Sequence, residues 1–228
     1  TVIGTDTVGS LEGLTKLPNL VQLSLSETNA ADLSPLSELT KLQSLELYYS
    51  PATDFSPIAA LPNLRHLVIQ NCDYITDLSF LTGCKNVREL VLTDDGRIVD
   101  YSALAEMGEL QYLHLEGVDP DLFLQYLSGK TIQQLKIGWH SLSSLAELAQ
   151  IQGLEELICN GIDFDSLSGG EQLTTLERLS IKAADGQTDM DLSPLLTLPK
   201  LKTLTLSENL RQAAETALTD APFEIKYE

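Results

Sequence analysis

Residues 32–47 read DLSPLSELTKLQSLEL, and residues 191–206 read DLSPLLTLPKLKTLTL. The two stretches share every Leu-x-Leu in register, although most of the chain lies between them. Across that interval the frame L-x-x-L-x-L recurs, with Val, Ile or Cys at some apolar sites. Its starts are Leu20, Leu42, Leu64, Val87, Leu110, Ile132, Leu154, Leu176 and Leu201. They fall about 22 residues apart, and a fixed period in this range marks a chain of stacked, similar units. The two quoted stretches are members of that series, seven steps apart.

Within each frame, apolar and polar residues alternate with the period of a half-buried strand. About a dozen residues later comes a second apolar pair, such as Leu36 and Leu39. There Ser34 is placed to cap a helical turn and Pro35 to open it. One unit is therefore strand, turn, short helix or 3-10 segment, and return. Such a unit cannot bury its own leucines; stacked copies bury a continuous core and make their strands parallel neighbours. Ile3 lies as far before Leu20 as Leu25 lies before Leu42, so it is expected to align with Leu25 in a partial first unit.

The nine frames and the D-[LF]-S-P-[LI] stretches at 32–36, 54–58 and 191–195 resemble the leucine-rich repeat family, in its bacterial 22-residue internalin-like form. The resemblance implies an α/β repeat fold. It would be a right-handed solenoid with a concave parallel sheet of about ten short strands and a helical, 3-10 or irregular convex side. It also implies a non-enzymatic module that binds other proteins, secreted or on a bacterial surface; an intracellular regulatory scaffold docking on an enzyme is the alternative. Residues 1–209 would form the solenoid, a partial unit and nine more, and residues 210–228 a C-terminal cap. The family's asparagine after the strand is replaced here by Thr28, Ser50, Cys72, Val118, His140, Ile162 and Ala184, and by aspartate at positions 6 and 95. Val118, Ile162 and Ala184 cannot bond the backbone, so less regular turns are expected in the second half, with backbone or water supplying the bonds.

Net charge is −19, spread evenly along the chain. That balance argues against nucleic acid and anionic membranes, since a phosphate-binding face needs clustered Lys and Arg. No apolar run reaches the length of a membrane span. The chain opens on Thr1 without Met or leader, as a mature or trimmed chain would. Its uncovered first unit raises the expectation of an upstream cap or of self-association at that end. Cys72, Cys84 and Cys159 fall on apolar or asparagine sites and read as core residues, not as a disulfide framework or zinc site. No cofactor or metal is expected. Asp185, Asp189 and Asp191 gather in the longest insertion, but Asp191 matches the repeat residue Asp32 and the calcium-loop spacing is missing.

The alternating strand sends its second set of side chains onto the outer sheet face. There Tyr48, Tyr49, His66, Val68, Val91, Tyr112, His114, Trp139 and Ile158 place aromatic and apolar bulk that core formation does not use. These nine are the candidate partner-binding residues, because Tyr and Trp most often carry interface energy. Ser44, His66 and Glu89 occupy one column on successive strands, which makes a Ser–His–carboxylate row conceivable. Nothing in the sequence supplies an oxyanion hole or a dry pocket for it.

Overall fold

The computed structural model describes residues 2–4, 8–93, 97–184 and 186–228. Expectations resting on Asp6, Asp95, Asp185 or the side chain of Ile3 lie outside the described residues. The chain divides into two compact units, Thr1–Leu115 and Glu116–Glu228.

In the first unit, β1 (Val2–Gly4), β2 (Gln22–Ser26), β3 (Ser44–Tyr48), β4 (His66–Gln70), β5 (Glu89–Thr93) and all but the last residue of β6 (Tyr112–Glu116) follow one another in the sheet in chain order. Pairing is parallel and leucine faces leucine: Leu23 opposes Leu45, which opposes Leu67, which opposes Leu90. Those inward residues are at most 1% exposed. β1 departs from the expected alignment by one residue, since Gly4 opposes Leu25 and Ile3 opposes Ser24.

Across from these strands lie 3-10 segments at Glu12–Lys16, Ser34–Glu38, Ser56–Ala60, Ser79–Gly83 and Ser102–Glu106. Phe55 and Phe80 stack between neighbouring repeats with ring centroids 5.9 Å apart. In the last four of these segments the serine is not the cap, contrary to expectation; it is the first residue. The acceptor is the aspartate two residues earlier. Asp32, Asp54, Asp77 and Asp100 take the backbone N–H of Ser34, Ser56, Ser79 and Ser102 at 2.6–2.9 Å. Asn63 and Asn86 each donate to a carbonyl of the preceding repeat, Thr40 and Pro62, at 2.8 Å.

Those turns are expected to make the fold acid-sensitive. Ser34 holds Asp32 below the ordinary carboxylate range, first through its backbone N–H and then its hydroxyl, and Ser102 does the same for Asp100. For Asp54 the Ser56 hydroxyl is the larger cause and its N–H the second. A carboxylate depressed in the folded state adds stability above its unfolded pKa, about 3.9, and loses it as pH falls through the folded value. The melting temperature should therefore drop between about pH 5 and about pH 2. Asp54→Asn with Asp100→Asn keeps an acceptor in each turn without the charge, and should show a smaller drop. An identical acid profile would count against this origin.

The second unit contains β7 (Gln134–Gly138), β8 (Ser141–Leu142), β9 (Glu156–Phe164), β10 (Arg178–Ala183), β11 (Thr203–Leu206) and β12 (Glu224–Tyr227). β7, β9, β10, β11 and β12 pair in parallel in that order. Here the departure from the asparagine pattern has its expected effect. β9 runs straight through Ile162, and the added strand β8 pairs with its end. Asp163 N–H donates to His140 O at 2.9 Å and Asp165 N–H to Leu142 O at 3.1 Å, so backbone supplies the turn's bonds. The ladder slips between Lys182 and Ala183. Asn209, which keeps the family residue, donates from Nδ2 to Gln187 O at 2.8 Å.

α1 (Pro120–Phe123) is capped by Asp119, whose carboxylate takes the N–H of Asp121 at 3.1 Å. The 3-10 segment Leu145–Gln150 opens on a Ser144–Glu147 capping box. The last stretch forms α2 (Arg211–Ala217) and β12, as its Ala-rich and then alternating composition predicts. Ala214, Leu218 and Phe223 are buried there. All three cysteines are buried and unpaired, in agreement with their reading as core residues. No helix of the described residues is long and apolar enough to cross a membrane.

Candidate functional site: the outer faces of the strands

The register of the first unit sets Ser44 beside His66 and His66 beside Glu89. His66 Nδ1–H donates to Glu89 Oε2 at 2.7 Å, while its Nε2 lies 3.6 Å from Glu46 Oε1. The imidazole thus stands between two carboxylates and does not bond Ser44 among the described contacts. A nucleophile–base pair is not formed. Tyr48 extends the row: burial first, then the charge of Glu46 and a hydrogen bond to it, push its phenol pKa up. Tyr48, Glu46, His66 and Glu89 form a continuous polar line across three strands, each at least partly open to solvent.

The middle column behaves differently from expectation. Val68, Val91 and His114 are 5%, 9% and 7% exposed, so they are buried residues of the outer face and not open bulk. Strands about 4.8 Å apart press these three central side chains against their lateral neighbours, whereas Glu46 in the same column stays half-open. Ile158, in the same column of the second unit, is half-buried between the Lys136 and Ser180 positions. Tyr112 is also half-buried.

Tyr49 and Trp139 are not strand residues at all. With Glu27 and Asn71 they are the non-glycine residues of positive φ among the described residues, at 54° for Glu27, Tyr49 and Asn71 and 65° for Trp139. Gly117 and Gly161 hold the equivalent position at 74° and 60°. The chain leaves the sheet here. Tyr49 N–H closes on Gln70 O at 3.0 Å, and Trp139 N–H on Asn160 O at 2.9 Å. A bulky side chain in the left-handed region is strained, and glycine relieves it. Yet Tyr49 is 55% exposed and Trp139 65% exposed, so core packing does not explain either.

The Trp139 indole is fixed nonetheless. Its Nε1–H donates to Glu116 Oε1 at 2.8 Å. Its six-membered ring lies against Gly161, where an added Cβ would come within 3.1 Å of Cε3. The ring therefore reaches from the preceding repeat to the following one with a face left open.

The insertion borders a polar cleft of about 340 Å³ that includes Asp165, Gln187, Asp189 and Asp191. Asp191 is taken up by the Ser193 N–H at 2.9 Å, as the matching aspartates are in the first unit. No group of three metal-ligating side chains occurs among the described residues. Burial raises the thiols of Cys72 and Cys159 and pushes Cys84 up to about 12, which disfavours the thiolate.

Sequence reasoning missed two structural roles, the aspartate acceptor and the Asn63–Asn86 ladder. Both recur at the spacing of the repeat, which is the signal that could have found them. The left-handed position is marked in the sequence only by Gly117, Gly161 and Asn71.

No protein-family model and no curated protein matches the chain. Solved structures do. An internalin (InlF) of Listeria monocytogenes strain 4b F2365 superposes with a TM-score of 0.68 at 23% identity, over 96% of this chain and 66% of that one. Internalin C2 of the same strain gives 0.55 at 29% identity, over 89% and 78%. A chain of the octameric complex of latrophilin 3, Unc5D and the leucine-rich repeat of FLRT2 gives 0.63 at 18% identity, over 92% and 70%. The chain spans just under two thirds of the InlF chain. With InlF and with the octameric complex, the likeness is one of fold.

Proposed function

Since the chain is a leucine-rich repeat protein of the internalin-like type, we propose that it is a non-enzymatic protein-binding module. It works through the outer sheet faces, outside the cell or on a bacterial surface. The observation that carries the reading is Trp139. Folding alone would favour glycine at φ 65°, as at positions 117 and 161, but a tryptophan stands there exposed and held by a hydrogen bond. A rigid, amphipathic ring on the surface is the side chain that most often anchors an interface. Tyr49, at φ 54° and 55% exposed, holds the same left-handed position in the first unit. The similar structures support the general reading: FLRT2 was solved in a complex with other proteins.

The test is a screen of the folded chain against an arrayed panel of folded proteins. Partners should lose about thirtyfold in affinity, about 2 kcal/mol, on Trp139→Gly or Tyr112→Ala. Trp139→Gly should leave the melting temperature nearly unchanged, because the lost contact with Gly161 is offset by the relieved backbone. Partners indifferent to both substitutions would move the function off this face.

A further inference from the structure

The outer strand positions of β2 to β6 contain no lysine or arginine, whereas those of β7, β10 and β12 carry Lys136, Arg178, Lys182 and Lys226. The second unit neutralises its own face: Glu156 meets Arg178 at 3.3 Å and Glu224 meets Lys226 at 3.2 Å. The first unit does not. Among the described contacts, the cation facing Glu46 and Glu89 is His66, which is charged only when protonated. Glu46 and Glu89 are thus two carboxylates without a Lys or Arg partner among the described contacts, set into a face that also offers the rings of Tyr48 and Tyr49. From this difference between the units we infer that the first unit's sheet face takes a cationic protein segment, one in which Lys or Arg side chains alternate with aliphatic ones.

The chemistry fits on each count. Glu46 and Glu89 flank the same imidazole on β3 and β5, so two cations of one ligand can be met at once. Each ligand cation would gain a charge-assisted hydrogen bond. Exposed aromatic rings accept the face of a guanidinium or ammonium and cover its methylene stem. The left-handed Tyr49, 55% exposed, stands at the end of the strand that carries Glu46. An anionic partner would find no fixed cation at these strand positions.

This inference rests on the outer faces being binding surfaces and names the partner's chemistry on one of them. Its test uses fluorescence anisotropy of a labelled peptide alternating Arg or Lys with aliphatic residues, and of the same peptide with each cation replaced by Glu. At about physiological ionic strength the Debye length is about 8 Å, which screens charges beyond the face. The wild-type chain should bind the cationic peptide and not the acidic one. Glu46→Gln with Glu89→Gln should weaken binding about tenfold. Glu38→Gln with Glu106→Gln makes the same change of net charge at exposed ends of the 3-10 segments, and should stay within about twofold. Equal losses in the two double variants would assign the binding to diffuse charge and overturn the inference, as would no binding of the cationic peptide. Neither result touches the more general reading, because panel partners lost on Trp139→Gly would still stand.

Discussion

Replacing Gly169 with alanine should destabilise the second unit by about 3 kcal/mol or more, whereas Gly186→Ala should cost about 1 kcal/mol. Both glycines have φ of +86°, so the backbone penalty of a side chain in the left-handed region is common to the two. Their surroundings differ. A Cβ at 169 would lie 2.5 Å from Ala146 Cβ, 2.6 Å from its nitrogen and 2.7 Å from its Cα, while a Cβ at 186 meets nothing within 4 Å. Gly169 leads into the 3-10 segment Gly170–Gln172, and Ala146 belongs to the segment Leu145–Gln150 of the preceding repeat. Two successive repeats touch backbone to side chain there, and backbone does not yield as a flexible side chain would. Urea denaturation of the two variants separates strain from overpacking. Equal losses would mean the repeats slide apart at little cost, and the close approach would lose its structural meaning.

The second large effect lies in the register. Leu113 is 0% exposed, one residue from half-buried Tyr112. Leu113→Ala should destabilise the fold by about 2–5 kcal/mol, through lost transfer energy and the cavity it leaves. Tyr112→Ala should cost about 1 kcal/mol or less in stability, and its loss should appear in partner binding instead. A one-residue slip of β6 would exchange the two roles. Chemical denaturation of both variants decides the matter: if Tyr112→Ala were the more damaging, the outer and inner faces would have to be swapped.

The repeat is legible because its signal is redundant. Spacing alone places Leu42, Leu45 and Leu47 inward, and all three are 0% exposed. The same spacing aligns Ser44, His66 and Glu89 residue for residue. It fails at β1, where the frame is reduced to a few residues and the pairing differs by one residue. The candidate site is legible only as a set of columns. Which members stand open depends on lateral crowding, a tertiary effect that leaves no trace in alternation, so Val68, Val91 and His114 read as exposed and are not. The left-handed turn stays hidden because its residue type varies from Glu27 through Tyr49 to Trp139. His66 reads as a base for Ser44, but its ring nitrogens face the carboxylates of Glu89 and Glu46. A residue diagonally placed on the next strand can lie as close to a histidine as its own column does, and charge decides between them.

Trp139 is the single tryptophan of the chain, and its indole lies at the surface with the N–H on a carboxylate. The protein's tryptophan emission therefore originates outside the hydrophobic core. Unfolding exchanges one wet surrounding for another and shifts the spectrum little, while a partner laid over the ring dries it and moves the emission to the blue. On the binding surface proposed above, the chain would carry its own reporter of a partner's arrival.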